Sequence, residues 1–157
     1  MIVDSSAIVA ILRREPDAPR LLQPLLWTQA RRMSAATYLE ISIVVDRSSD
    51  PVVRAGLEEL ISRLGITIEP VTAEQARIAR EAHRSYGRGT GHPARLNFGD
   101  CFAYALAKTS GEQLLYTGKD FDHTDVGLIG PLAERKRLSE ARAAYGTTAI
   151  PAPPSST

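Results

Sequence analysis

The sequence predicts an α/β protein: a short, mostly parallel sheet flanked by helices. Three observations predict it. The first is the opening stretch, Met1-Ile-Val-Asp-Ser-Ser-Ala-Ile-Val-Ala-Ile-Leu12, where an apolar run stops at an acid and a second apolar run follows two serines. Serine caps helices well, so the stretch reads as strand Met1–Val3, a turn, and a helix over 7–12. The second is recurrence: apolar strand candidates ending at Met33, over Ile66–Ile68 and over Gln113–Thr117 alternate with helical patterns. The third is punctuation, with Ser34, Thr72, Asn97, Gly65 and Gly111 standing where caps are required.

The elements follow in order. Arg13-Arg-Glu-Pro-Asp17 is a polar break. A helix over 18–30 places Leu21, Leu22, Leu25 and Leu26 on one face, and Pro24 should kink it or become its start. Ser34 caps a helix over 35–47 that is apolar around most of its circumference, through Tyr38, Leu39, Ile41, Ile43, Val44 and Val45. Such a helix is expected to be buried, with Glu40 buried inside it. Ser48-Ser-Asp-Pro51 starts the next helix, whose Val53, Leu57, Leu60, Ile61 and Leu64 share a face, and Gly65 closes it. Thr72-Ala-Glu-Gln75 has the form of a capping box and opens a helix to about Tyr86.

Tyr86 to Leu96 carries Gly87, Gly89, Gly91 and Pro93 among Arg84, Arg88, His92 and Arg95, and reads as a flexible, locally basic loop. Asn97 then caps an Ala-rich helix through Lys108, which puts Asp100 in its first turn. After the strand over 113–117 comes Gly118-Lys-Asp120-Phe-Asp122-His-Thr-Asp125, and 126–129 reads as a last short strand. Residues 1–130 are expected to form the core domain. Residues 131–150 read as a charged helical extension with Leu138, Ala141 and Tyr145 as a thin apolar stripe, and 151–157 as a disordered Pro/Ser tail. A docking helix with a loose tail is the plainer reading of that extension; a partner-binding segment is the other.

Composition bounds the function. One domain is expected from 157 residues, of which 43% are hydrophobic and 24% charged. A net charge of +1 announces no global nucleic-acid field, so any basic surface must be local. The single cysteine, Cys101, excludes an internal disulfide and a Cys-based zinc site, and fits a reducing cytoplasm. With no basic leader before the first strand and no apolar run near about 20 residues, neither a signal peptide nor a membrane span is expected.

The chemistry lies in four acids. Strand ends deliver Asp4 and Asp120, and helices deliver Glu40 and Asp100. In a parallel sheet the carboxyl ends of the strands share one edge, where ligands bind. Carboxylates gathered there repel, and one would take up a proton unless a cation relieved the repulsion. Oxygen-only ligands suit Mg²⁺ or Mn²⁺, and the absence of a Cys/His cluster argues against zinc. A hard cation among carboxylates, completed by substrate phosphate, points to hydrolysis of a phosphodiester with water as nucleophile. Singly, each acid has a plainer role: Asp4 and Asp100 as partners of helix N-termini, Glu40 as half of a buried ion pair. Cys101 lacks a partnering His and reads as core.

These residues also resemble a family. Met1–Leu12, Met33-Ser-Ala-Ala-Thr-Tyr-Leu-Glu40, Leu96-Asn-Phe-Gly-Asp-Cys-Phe-Ala-Tyr-Ala-Leu-Ala107 and Leu114-Leu-Tyr-Thr-Gly-Lys-Asp-Phe121 with Thr124-Asp125 are similar, in order and spacing over about residues 1–130, to PIN-domain ribonucleases, and more closely to the toxins of VapBC-type toxin–antitoxin pairs. The resemblance implies Asp4, Glu40 and Asp100 as the acids of a metal site, with Ser6 supporting Asp4. Its fourth acid is Asp120, with Asp122 and Asp125 as fallbacks; Gly118 and Lys119 occupy places that are often acidic in the family, and Lys119 could pair with Asp120. Arg88, His92 and Arg95 are candidates for RNA contact. The resemblance further implies a homodimer and a cognate antitoxin whose tail covers the acidic pocket. A non-catalytic RNA- or protein-binding module is the alternative, favoured by Lys119. A phosphoacceptor receiver domain fits poorly, because Ser5 stands where it needs a second acid and Ile68-Glu69-Pro70 lacks its phosphorylated Asp.

Overall fold

A computed structural model of the chain describes residues 1–129; the expected extension over 131–150 and the tail over 151–157 lie outside the described residues. Five parallel strands lie in the order β3-β2-β1-β4-β5: β1 (Ile2–Val3), β2 (Arg31–Ser34), β3 (Ile66–Glu69), β4 (Leu114–Leu115) and β5 (Leu128–Ile129). β1 is central. Ile2 pairs with Arg32 on one side and Leu114 on the other, and Val3 pairs with Leu115. The helices are α1 (Ser5–Leu12), α2 (Ala18–Trp27), α3 (Ala35–Asp46), α4 (Pro51–Arg63), α5 (Ala73–Tyr86) and α6 (Phe98–Ser110).

Strand side chains alternate between faces, and the sheet uses both. Val3 and Leu115 join a core built from α1 to α4, whereas Ile2 and Leu114 join a core built from α5 and α6. Ile2, Val3, Leu114 and Leu115 are all essentially without solvent contact, as strands covered on both faces must be. The result is helices on both sides of a narrow parallel sheet, the predicted class. At the edge away from the strand carboxyl ends, the Met1 amino group and Arg32 both pair with Glu112. Burial raises the Glu112 pKa, but its bonds with the amino group and Arg32 outweigh this and hold it below the usual carboxylate range.

Most caps stand at the positions the sequence predicts. Ser34 accepts from the Ala36 N–H, and Thr72 with Gln75 forms a complete capping box. Gly65 follows α4 with φ 58°, and Gly111 closes α6 with φ 66°, a region that favours glycine. α2 runs through Pro24 and ends at Trp27, short of Ala30; Leu21 and Leu25 are both buried and anchor it on either side of the proline.

Three expectations need correction. The cap of α1 is Asp4, whose carboxylate accepts from the Ser6 N–H, so the helix begins at Ser5 and the serines lie inside it. α3 is not buried all round: Ile41 and Val45 enter the core, while Leu39 is 59%, Ile43 43% and Val44 40% exposed. A helix at the rim of a two-faced sheet has only one side to bury, so its remaining apolar face points outward and Glu40 is half-buried. The glycine-rich loop is tied down. The Arg88 N–H donates to Leu96 O at 3.0 Å, the Leu96 N–H to Tyr86 O at 2.8 Å, and Ala94 and Leu96 are buried.

Candidate active site

Asp4 is placed by backbone on both sides. Its N–H donates to Leu115 O at 2.9 Å, which fixes it to the end of β4, and its Oδ2 accepts from the Ser6 N–H at 2.9 Å. The residue is 1% exposed, and its other oxygen, Oδ1, is buried with no hydrogen-bond partner. Burial raises its pKa; the Ser6 and Ser5 hydrogen bonds oppose the rise, and the charge of Asp120 adds to it. A buried carboxylate oxygen without a donor is costly unless a proton or cation meets it.

Asp100 is held by the capping box of α6. Its Oδ2 accepts from the Asn97 N–H at 2.7 Å, and its own N–H donates to Asn97 Oδ1 at 2.8 Å. Burial, then repulsion from Asp4, raises its pKa to about 7, with Asp120 and Glu40 adding further repulsion. Glu40 reaches in from α3. Burial and the Asp4 charge raise its pKa, whereas the Ser5 hydroxyl, donating to Oε2 at 3.3 Å, and the Arg88 charge lower it. Asp120 follows β4, half-buried, close enough to repel both Asp4 and Asp100. The four acids therefore share one field at the carboxyl edge of the sheet.

The fallback acids are engaged elsewhere. Asp122 accepts from the Tyr116 hydroxyl, and Asp125 accepts from the Tyr104 hydroxyl at 2.7 Å and Lys108 Nζ at 3.0 Å. Lys119 is exposed and forms no ion pair with Asp120 among the described residues. Ser6 Oγ accepts from the Thr117 N–H at 3.1 Å, which locks the start of α1 to the chain leaving β4. Arg88 lies near Glu40 and donates from Nε to Arg95 O at 3.3 Å. Arg95 is exposed with φ 53°. His92 is occupied within its loop: its ring stacks edge-on against Tyr86 at 4.9 Å, and its Nδ1 accepts from the Ala94 N–H at 3.2 Å. Cys101 is buried, and its pKa is pushed up to about 11 by burial and then by Asp100, so it is no nucleophile at neutral pH.

Two residues of the site are not singled out by sequence reasoning. Ser5 is one, through its bond to Glu40. Gly99 is the other. A Cβ there would lie 1.9 Å from Glu40 Oε2 and 2.2 Å from its Cδ, so the carboxylate rests directly on the first turn of α6. Gly99 stands between Phe98 and Asp100, within one of the segments that carry the family resemblance, but only the packing of α3 on α6 shows what its missing side chain admits.

Among the described residues, no group of three or more His, Cys, Asp or Glu side chains stands close enough together to hold a metal ion as the side chains now lie. The donor set nevertheless suits a hard divalent cation such as Mg²⁺ or Mn²⁺. It is all oxygen, it is held near the sheet edge, burial and mutual repulsion raise the pKa values of Asp4, Glu40 and Asp100, and Asp4 Oδ1 is left without a partner. No described helix is long and apolar enough to cross a membrane.

Residues 1–127 match the PIN domain family. The chain is 55% identical over 126 residues to Ribonuclease VapC28 of Mycobacterium tuberculosis, covering 80% of this chain and 95% of that protein. The crystal structure of Mycobacterium tuberculosis VapC20, described as a sarcin-ricin loop cleaving toxin, superposes with a TM-score of 0.62 at 17% identity over 83% of this chain and 98% of that one. A toxin–antitoxin complex from Klebsiella pneumoniae gives 0.60 at 15% identity over 82% and 94%.

Proposed function

Because the chain belongs to the PIN-domain family, and within it to the VapC ribonucleases, we propose that it is a metal-dependent endoribonuclease toxin neutralised by a cognate antitoxin. The observation that carries this reading is the convergence of Asp4, Glu40, Asp100 and Asp120 on one edge, with a buried Asp4 oxygen left unpartnered. Asp4 and Asp100 would hold Mg²⁺ or Mn²⁺, and Glu40 would complete the site. When bound, the cation supplies positive charge that polarises a phosphate oxygen and lowers the pKa of an attacking water. The chain's own groups do the rest. The Asn97 and Ser6 amides fix the orientation of Asp100 and Asp4. Gly99 and Ser5 seat Glu40. Asp120 positions water in line with the phosphorus. The water oxygen bonds to phosphorus and loses a proton, the bond to the 3′ oxygen breaks and that oxygen takes up a proton from solvent, leaving a 5′-phosphate and a 3′-hydroxyl.

In the same reading the protein acts in the cytoplasm as a homodimer. The exposed apolar residues Leu39, Ile43 and Val44 on α3, and Leu26 and Trp27 at the end of α2, provide surface for the second copy and the antitoxin. An antitoxin Arg placed on the acids would satisfy them as a cation does. The test is cleavage of a total RNA pool with Mg²⁺ or Mn²⁺ against EDTA, with Asp4→Asn and Asp100→Asn alongside. Both substitutions keep an oxygen for the backbone amide that each carboxylate now accepts from, so folding is expected to survive. Cleavage should require metal and fall about a hundredfold or more in either variant. Intact RNA together with no metal binding that Asp4→Asn removes would leave a non-catalytic binding module in its place.

A further inference from the structure

Beside the acids lies a surface of opposite character. α5 and α6 enclose an open groove of about 520 Å³ lined by Ala76, Ala79, Arg80, Arg84, Phe98 and Phe102, with Cys101 and His83 completing the wall. Phe98 is the first residue of α6 and is 75% exposed, an unusual state for a phenylalanine. Its ring meets Phe102 edge-on at 5.0 Å, which steadies one edge and leaves a face to solvent. The groove's rim is basic. Arg77, Arg80 and Arg84 recur at i, i+3 and i+7, one face of α5, and all three are exposed. Arg84 pairs with Glu81 at 3.3 Å, both largely exposed, and no acid lines the groove. The basic track continues past Gly87 to Arg88, whose charge reaches Glu40. Phe98 itself is two residues from Asp100, and the intervening Gly99 touches Glu40.

We propose that this groove is the binding track for single-stranded RNA adjoining the cleavage site, with Phe98 as a stacking platform for a base and Arg80 and Arg84 as phosphate contacts. The assignment rests on the nuclease reading for its choice of RNA. Charge and continuity favour RNA over a protein partner here. An aromatic face beside guanidinium groups on a path into the catalytic cleft is how single strands are held without sequence readout. By contrast, α3 carries no basic residue within its span, and α2 carries a single one, Arg20, rather than a run along one face.

The experiment is binding of a fluorescent single-stranded RNA 12-mer carrying one 2-aminopurine to the full chain in EDTA, where no hydrolysis occurs. Wild type should bind and quench the 2-aminopurine. Phe98→Ala should weaken binding about tenfold and Phe98→Trp should preserve it. Phe98→Leu keeps the apolar surface but loses the ring face, so it should bind as weakly as Phe98→Ala and fail to quench. Arg80→Ala with Arg84→Ala should lower the steepness of the salt dependence by about 0.7 for each phosphate no longer neutralised. Unchanged affinity and quenching in Phe98→Leu would overturn the stacking assignment. So would a Phe98→Ala protein that binds RNA normally but changes oligomeric state, because the groove would then be a protein interface. Absence of any RNA binding by wild type would overturn it too. Hydrolysis is read separately with metal: RNA bound through Phe98 but never cut rejects the nuclease and keeps the groove, whereas cutting indifferent to Phe98 rejects the groove and keeps the nuclease.

Discussion

Gly99 carries the sharpest consequence at the scale of single residues. Gly99→Ala places a methyl where the Glu40 carboxylate now sits, 1.9 Å from its Oε2. Glycine within a helix ordinarily costs stability relative to alanine, so in isolation the change would strengthen α6 by about 1 kcal/mol. Here the expected outcome is the reverse in function: thermal stability stays within about 1 kcal/mol, and metal affinity falls at least tenfold by titration calorimetry because Glu40 is displaced. Adding Glu40→Asp, one methylene shorter, should restore part of that affinity. A double variant no better than the single one would mean that Gly99 acts through the helix and not through the acid.

At the scale of elements, α6 is the part that orders the site. Its capping box uses Asp100 twice, as an acceptor for Asn97 and as a member of the acid group. Asn97→Ala removes the acceptor for the Asp100 N–H and should cost about 1 kcal/mol of stability by denaturant unfolding. It should also loosen Asp100, so metal affinity is expected to fall more than stability alone requires. On α3, Leu39→Ser with Ile43→Ser removes exposed apolar area without touching Ile41 or Val45. The double variant should leave the melting temperature of the monomer unchanged and shift the sedimentation profile away from dimer.

These elements also show how much is legible in the sequence. Thr72, Asn97, Gly65 and Gly111 are readable because caps are local chemistry. Asp4 and Asp120 are readable because the strand ends of a parallel sheet share one edge, and Asp100 because its cap places it in the first turn of a helix; Glu40 joins them only through the family resemblance. The cap of α1 is not, because Asp4 and two serines compete for one position and only the backbone decides among them. Nor is the exposed face of α3, because an apolar circumference does not say which side the fold will cover. Gly99 escapes for a different reason, since its meaning lies on a helix 59 positions away, at Glu40.

For the whole molecule, the raised acids make stability depend on pH. Asp100 has a folded pKa of about 7 against 3.8 unfolded, so between those values the folded state holds a proton the unfolded chain has lost. Stability must therefore fall as pH rises from about 4 to 7 and level off above, by on the order of a few kcal/mol shared among the mutually repelling acids. Glu112 has the opposite sign: its depressed pKa adds stability above the usual carboxylate range and gives it up in acid. Melting temperatures in EDTA should accordingly peak in the mildly acidic range. Mg²⁺ or Mn²⁺ at pH 8 should recover the loss, and Asp100→Asn should flatten the neutral limb. A melting profile rising steadily to pH 8 in EDTA would contradict the repulsive cluster.

Of the five strands, the central one is also the first to be synthesised. β1 lies between β2, at Arg31–Ser34, and β4, at Leu114–Leu115, so one of its edges stays open until most of the chain exists. Closing it requires pairing across more than a hundred positions, which forms late in folding. A nascent chain on the ribosome carries Asp4 and Glu40 long before Asp100, Leu115 and Asp120 arrive to complete the acid cluster. The order of synthesis thus delays the active arrangement until nearly the whole domain has been translated, and the machinery making the protein is not exposed to a working site partway through.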